Sequence, residues 1–221
     1  MEIKYKITEV KPNVFAVIVK DKYDRAMLFC RAQEYYESPN KKFRGKDFSM
    51  WDYMKWYASN HTGFSYAGDW SGFNIPFDVM WECYENQNEL PDWETPYDGY
   101  MWEILVKIDN IRDENKKCYV IGAGDTNGWT FQHEVCHGLW YTNPQYKKAA
   151  KVVLDAIDPN HYVIFRKNLL DMGYTDKVID DEIQAYLCFG HDSENFCEGV
   201  DIEKCDKYHK AFLITLDEFI K

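Results

Sequence analysis

Ile3, Tyr5 and Ile7 alternate with polar residues, "KPN" makes a turn, and "VFAVIVK" resumes the apolar run. That two-residue period predicts a β-hairpin at the start of the chain. The period then lengthens. "DRAMLFCRAQEYYES" (24–38) begins a helix, and "DFSMWDYMKWYASN" (47–60) is predicted as another. In the latter Phe48, Trp51, Met54 or Lys55, and Ala58 share a face, with Asp47 or Ser49 as cap. Periodicity is lost between 60 and 99, where "YENQNELPDWETPYDG" (84–99) reads as an acidic loop containing proline. "YMWEILVKI" (100–108) and "CYVIGA" (118–123) alternate again and are predicted as two strands joined by "DNIRDENKK".

Beyond residue 126 the pattern is helical. "NPQYKKAAKVVLDAI" offers Asn143 as N-cap and Pro144 at the first helical position. "DPN" interrupts it, "HYVIFRKNLLDM" (161–172) forms the next helix, and Gly173 ends that one. Residues 175–189 and about 200–220 complete the set. The fold class expected is therefore α+β in a single domain, 1–221. Its first half, 1–125, is a mixed or antiparallel sheet with helices; its second, 126–221, is helical and carries the candidate chemistry.

Composition narrows the function. Apolar residues at 46% and aromatics at 17% specify a folded core. A net charge of −11 sets the chain against a phosphate backbone, so nucleic acid is not an expected partner. No apolar run is long enough to span a bilayer, and "MEIKYKITEV" has no apolar signal core. Seven cysteines without regular spacing fit reduced thiols in the cytoplasm.

Candidate chemistry lies in "TFQHEVCHGLWYTNP" (130–144). His133 and His137, four apart on a helix, put both imidazoles on one face, where their nitrogens can bind one Zn²⁺ at about 2.0–2.1 Å. Glu134 sits where it can deprotonate a water activated by the metal. On a helical wheel from Trp129, His133, His137 and Glu134 fall between about 40° and 140°, while Phe131, Val135 and Leu139 lie between about 200° and 280°. The helix thus has an apolar back and a functional front. The bland alternative is a chance pair of histidines, so a third ligand is the independent test.

"TDKVIDDEIQAYLCFG" (175–190) supplies one. Its apolar residues Ile179, Ile183, Tyr186 and Phe189 span about 20° to 140° from Val178, and Glu182 sits inside that arc at about 40°. Asp180 and Asp181 fall outside it with Lys177 and Gln184. An unpaired carboxylate on an apolar face needs a partner such as a cation or a metal, and Glu182 is the expected third ligand.

The two stretches together resemble the zincin metallopeptidases, in particular the gluzincin branch whose third ligand is a glutamate on a later helix. The resemblance covers 129–141 and 175–189 only. It implies zinc on His133, His137 and Glu182, Glu134 as general base, and a peptide or protein substrate. It also implies that the strand "CYVIGA" before the motif helix holds an extended substrate by pairing with it. A third histidine of the metzincin kind is absent, as is the cysteine motif of peptide deformylases. The "DDE" run also departs from the "NExxxD" context of the best-known gluzincins. For the oxyanion donor that such peptidases use, Tyr186 and Tyr141 stand one turn from Glu182 and His137, and Tyr186 is the residue taken as catalytic.

Other readings compete. A non-enzymatic protein with a structural metal would close its shell with four protein ligands, and a metallohydrolase of non-peptide amides would share the motif. Cys136 points away from the His137 side and reads as a buried hydrophobe. Cys188, His191, Cys197, Cys205 and His209 fit no familiar zinc spacing. Trp51, Trp56, Trp70, Trp81, Trp93 and Trp102 suggest a core built from large residues, with Trp93 exposed in the acidic loop, itself a candidate lid.

Overall fold

A computed structural model of the chain describes residues 2–70, 72–85 and 95–219. The chain divides into two compact units, Met1–Thr126 and Asn127–Lys221. The fold is α+β, and among the described residues all strands lie in the first unit.

The predicted hairpin is present as β1 (Lys6–Lys11) and β2 (Val14–Ile18), antiparallel and turned at Asn13. Asn13 adopts φ 58°, a left-handed conformation that asparagine tolerates better than most residues. Its Nδ2 donates to Asp113 O at 2.8 Å and its Oδ1 accepts from Asp113 N at 2.9 Å, which ties the turn to a distant loop. α1 (Lys22–Glu37) follows, capped by Asp21, whose carboxylate accepts from Asp24 N. α2 (Met50–Asn60) has Ser49 at its N-cap position, but its buried face is Met50, Tyr53 and Tyr57. Trp51, expected on that face, is 64% exposed.

The stretch without periodicity contains three short elements: α3 (Tyr66–Asp69), β3 (Phe73–Pro76) and α4 (Phe77–Glu85). α3 and β3 have four residues each and α4 nine, too few to establish a period. Trp56, Trp70, Trp81 and Trp102 are partly buried against the first unit's core. Trp93 and most of the expected lid, 86–94, lie outside the described residues.

The predicted strand at 100–108 is instead the body of a helix, α5 (Pro96–Asp109). Its start explains the difference. Pro96 occupies the first turn, and Asp98 Oδ2 accepts from both Thr95 N and Thr95 Oγ1 at 2.9 Å. Met101, Ile104, Leu105 and Ile108 then recur at helical spacing and are all buried. Asp98 also meets Arg31 of α1 in a buried ion pair at 2.7 Å.

β4 (Tyr119–Ala123) completes a mixed sheet of order β1-β2-β4-β3. It runs parallel to β2 and antiparallel to β3, so both its edges are occupied. The strand expected to pair with a substrate therefore has no free backbone edge to offer.

In the second unit α6 (Trp129–Thr142) runs into α7 (Pro144–Asp155) through Asn143, whose side chain accepts from Gln145 N and Tyr146 N. α8 (Pro159–Asp171) starts with Asp158 as cap and ends before Gly173, at φ 99°. α9 (Ile179–Cys188), α10 (Glu194–Cys197) and α11 (Ile202–Asp217) follow. α9 packs against α6, α7, α8 and α11 and is the hub of this unit. Among the described residues no helix is long and apolar enough to cross a membrane.

Candidate metal centre

α6 is buried on both faces. Phe131, Val135 and Leu139 form the expected apolar back, and His133, Glu134 and His137 are only 8%, 9% and 4% exposed. α9 packs against α6 and brings Glu182, 9% exposed, to the same place. Asp180, Asp181 and Glu182 occupy the first turn of α9, where the helix dipole favours negative charge.

Three side chains converge. His133 Nε2 and His137 Nε2 are 3.1 Å apart. Glu182 Oε2 lies 3.7 Å from His133 Nε2, and Oε1 lies 3.7 Å from His137 Nε2. Ligand bonds of about 2.0–2.1 Å at a tetrahedral centre set donor atoms about 3.3 Å apart, and the observed spacings bracket that value. Glu182 Oε2 is buried with no hydrogen-bond partner among the described residues. An orphaned buried carboxylate oxygen is costly, and a cation at this point would satisfy it.

The outer nitrogens of the imidazoles are already engaged. His133 Nδ1 lies 3.1 Å from Phe189 O, and His137 Nδ1 lies 2.9 Å from Asp181 Oδ1. With Nδ1–H donated outward, each ring turns its Nε2 lone pair towards the other and towards Glu182. Two lone pairs at 3.1 Å repel unless a proton or a metal ion stands between them. Charge points the same way: burial works to lower the pKa of His137, but Asp181, Glu182 and Glu134 outweigh it and raise it to about 10. The pocket is built to hold positive charge. His133, His137 and Glu182 form a buried group that could hold a metal ion, and among the described residues they are the only such group.

Asp181 was expected on the polar side of its helix and is instead half-buried against His137. Gln184, expected there too, is fully buried. A wheel assumes one face to solvent, and α9 has helices on several sides. Asp180 does face outward, accepting from Tyr162 Oη at 2.7 Å and lying 3.9 Å from Lys151 Nζ.

Tyr186 packs edge-on against His133, ring centroids 4.8 Å apart, and its hydroxyl meets that of Tyr174 at 3.3 Å. Burial raises the pKa of both phenols, and the charges of Glu182 and Glu134 add to it. Both hydroxyl groups therefore stay protonated donors. Tyr174 carries no spacing signal in the sequence, because it follows the helix-ending Gly173 in a loop. Tyr141 is half-buried at the far end of α6.

Cys136 is fully buried, and its thiol pKa is raised by burial and then by Cys188 beside it. The C-terminal cysteines and histidines make their own contacts: the His191 and His209 rings stack at 3.7 Å, and Cys197 Sγ donates to His191 O at 2.8 Å. Comparison of the chain with protein-family models, with curated proteins and with solved structures gave no match.

Proposed function

We propose that the protein is a zinc-dependent hydrolase that cleaves peptide bonds. The observation that carries this reading is the convergence of His133 Nε2, His137 Nε2 and Glu182 on one point, with both Nδ1 atoms bonded outward. Two imidazoles and a carboxylate are a donor set suited to zinc, and with three protein ligands a tetrahedral shell keeps a position for water or substrate. When bound, zinc would polarise a carbonyl oxygen and acidify a water molecule.

The remaining work falls to the chain. Glu134, one residue after His133 and buried beside His137, takes the proton of the attacking water and returns it to the departing amine. Asp181 and the Phe189 carbonyl hold the two imidazoles in orientation. Tyr186, with Tyr174 behind its hydroxyl, supplies a protonated donor for the developing oxyanion. The cytoplasmic placement rests on the sequence alone, whose seven irregularly spaced cysteines read as reduced thiols.

The test is to incubate the zinc-loaded protein and its Glu134→Gln variant with a peptide mixture and read cleavage by mass spectrometry. Cleavage by the wild type, lost in a variant that retains zinc, is the expected result. Equal cleavage by both, or none by the zinc-loaded wild type, contradicts the proposal.

A further inference from the structure

Tyr146 and Gln184 are polar side chains in the interior of the second unit, and both are fully buried. Tyr146 Oη donates to Gln184 Oε1 at 2.6 Å. Gln184 Nε2 donates to Asp181 Oδ1 at 3.0 Å, and that same oxygen lies 2.9 Å from His137 Nδ1. We infer that Tyr146 and Gln184 are positioning residues that set the metal affinity of the site by holding Asp181 against His137. The inference rests on reading His133, His137 and Glu182 as a metal centre.

The direction of the chain follows from what each group can do. A carboxylate only accepts, so Gln184 must turn its amide nitrogen towards Asp181. Its amide oxygen then faces Tyr146 and needs a donor, which the phenol supplies. Cys188 Sγ, 4.0 Å from Tyr146 Oη, can give its thiol proton to the phenol oxygen. Were the amide reversed, its oxygen would face the carboxylate across a buried gap, acceptor against acceptor. The carboxylate therefore sets which way the amide faces, the phenol holds the amide in place, the amide holds the carboxylate, and the carboxylate accepts from Nδ1–H of His137. Nε2 is left facing Glu182.

Asp181 needs this support. Its side chain is 23% exposed, so without Gln184 it can swing towards water and release the imidazole. The arrangement also accounts for a fully buried glutamine in the hub helix, where leucine or methionine would avoid the cost of desolvating an amide.

Zinc affinity measured by competition with a chromophoric chelator tests the inference. Tyr146→Phe keeps the ring that packs edge-on with Phe219 and removes only the hydroxyl. Tyr162→Phe is the control, because it removes a phenol that bonds the neighbouring Asp180, off the path to His137. The expected result is a loss of about tenfold in zinc affinity for Tyr146→Phe and wild-type affinity for Tyr162→Phe. Gln184→Met keeps the volume and cuts the chain one step nearer the site. It should lose at least as much, and adding Tyr146→Phe to it should cost nothing further. A general packing defect would instead lower metal-free stability, additively in the double variant, and leave affinity unchanged. Wild-type affinity in Tyr146→Phe or Gln184→Met overturns the inference and leaves the metal centre standing. A wild type that takes up no zinc removes both.

Discussion

Asp181 Oδ1 lies 2.9 Å from His137 Nδ1, so the residue just before the third candidate ligand holds the second one. Two consecutive residues of α9 thus serve one imidazole from opposite sides, Glu182 facing Nε2 and Asp181 facing Nδ1. Asp181→Ala is expected to weaken zinc binding by about 10- to 100-fold, and Asp181→Asn by less, since its amide oxygen can still accept. Chelator competition measures both. Wild-type affinity in Asp181→Ala would mean the contact has no part in metal binding.

Glu182→Ala should remove a ligand outright, with a larger affinity loss than Asp181→Ala. It also removes one of the charges that hold His137 protonated, so the metal-free variant should melt lower than metal-free wild type near neutral pH. Thermal denaturation with and without zinc shows both effects. A variant that still gains wild-type stabilisation from zinc would exclude Glu182 as a ligand.

The raised pKa of His137 gives the chelated protein a pH signature. Its folded value of about 10 stands above the ordinary histidine value of about 6.5. The resulting stabilisation is full below pH about 6.5 and is lost as pH rises through about 10. Melting of the chelated protein should fall across that window more than melting of His137→Gln. Parallel curves for the two would count against the charge assignment.

Asn13 offers a stability test remote from the metal site. Asn13→Ala places alanine at φ 58° and removes both bonds to the Asp113 backbone, at an expected cost of about 2 kcal/mol. Asn13→Gly keeps the conformation and loses only the bonds, so it should cost less. Chemical denaturation ranks the three proteins. Alanine and glycine variants of equal stability would show that the left-handed turn carries no strain.

Much of this was legible in local chemistry. Asn143 with Pro144, and Gly173, mark helix ends wherever they occur, and Glu182 stood out because a carboxylate within an apolar arc needs an explanation. The structure departs from the local pattern where distant neighbours decide. Alternation in 100–108 fitted a strand until Pro96 and Asp98 started a helix through it, with Asp98 also bound to Arg31. β4 was recognisable as a strand, but its central position depends on β2 and β3, far away in sequence. A wheel places Asp181 and Gln184 towards solvent, but α9 lies among four helices, which enclose both.

Zinc content tests the central claim most directly. The protein would be purified without added metal or a histidine-rich tag, and analysed by elemental mass spectrometry beside His133→Ala and Glu182→Ala. The account predicts close to one zinc per wild-type chain and much less in either variant. A wild type without metal, and with no thermal stabilisation when zinc is returned, would contradict it.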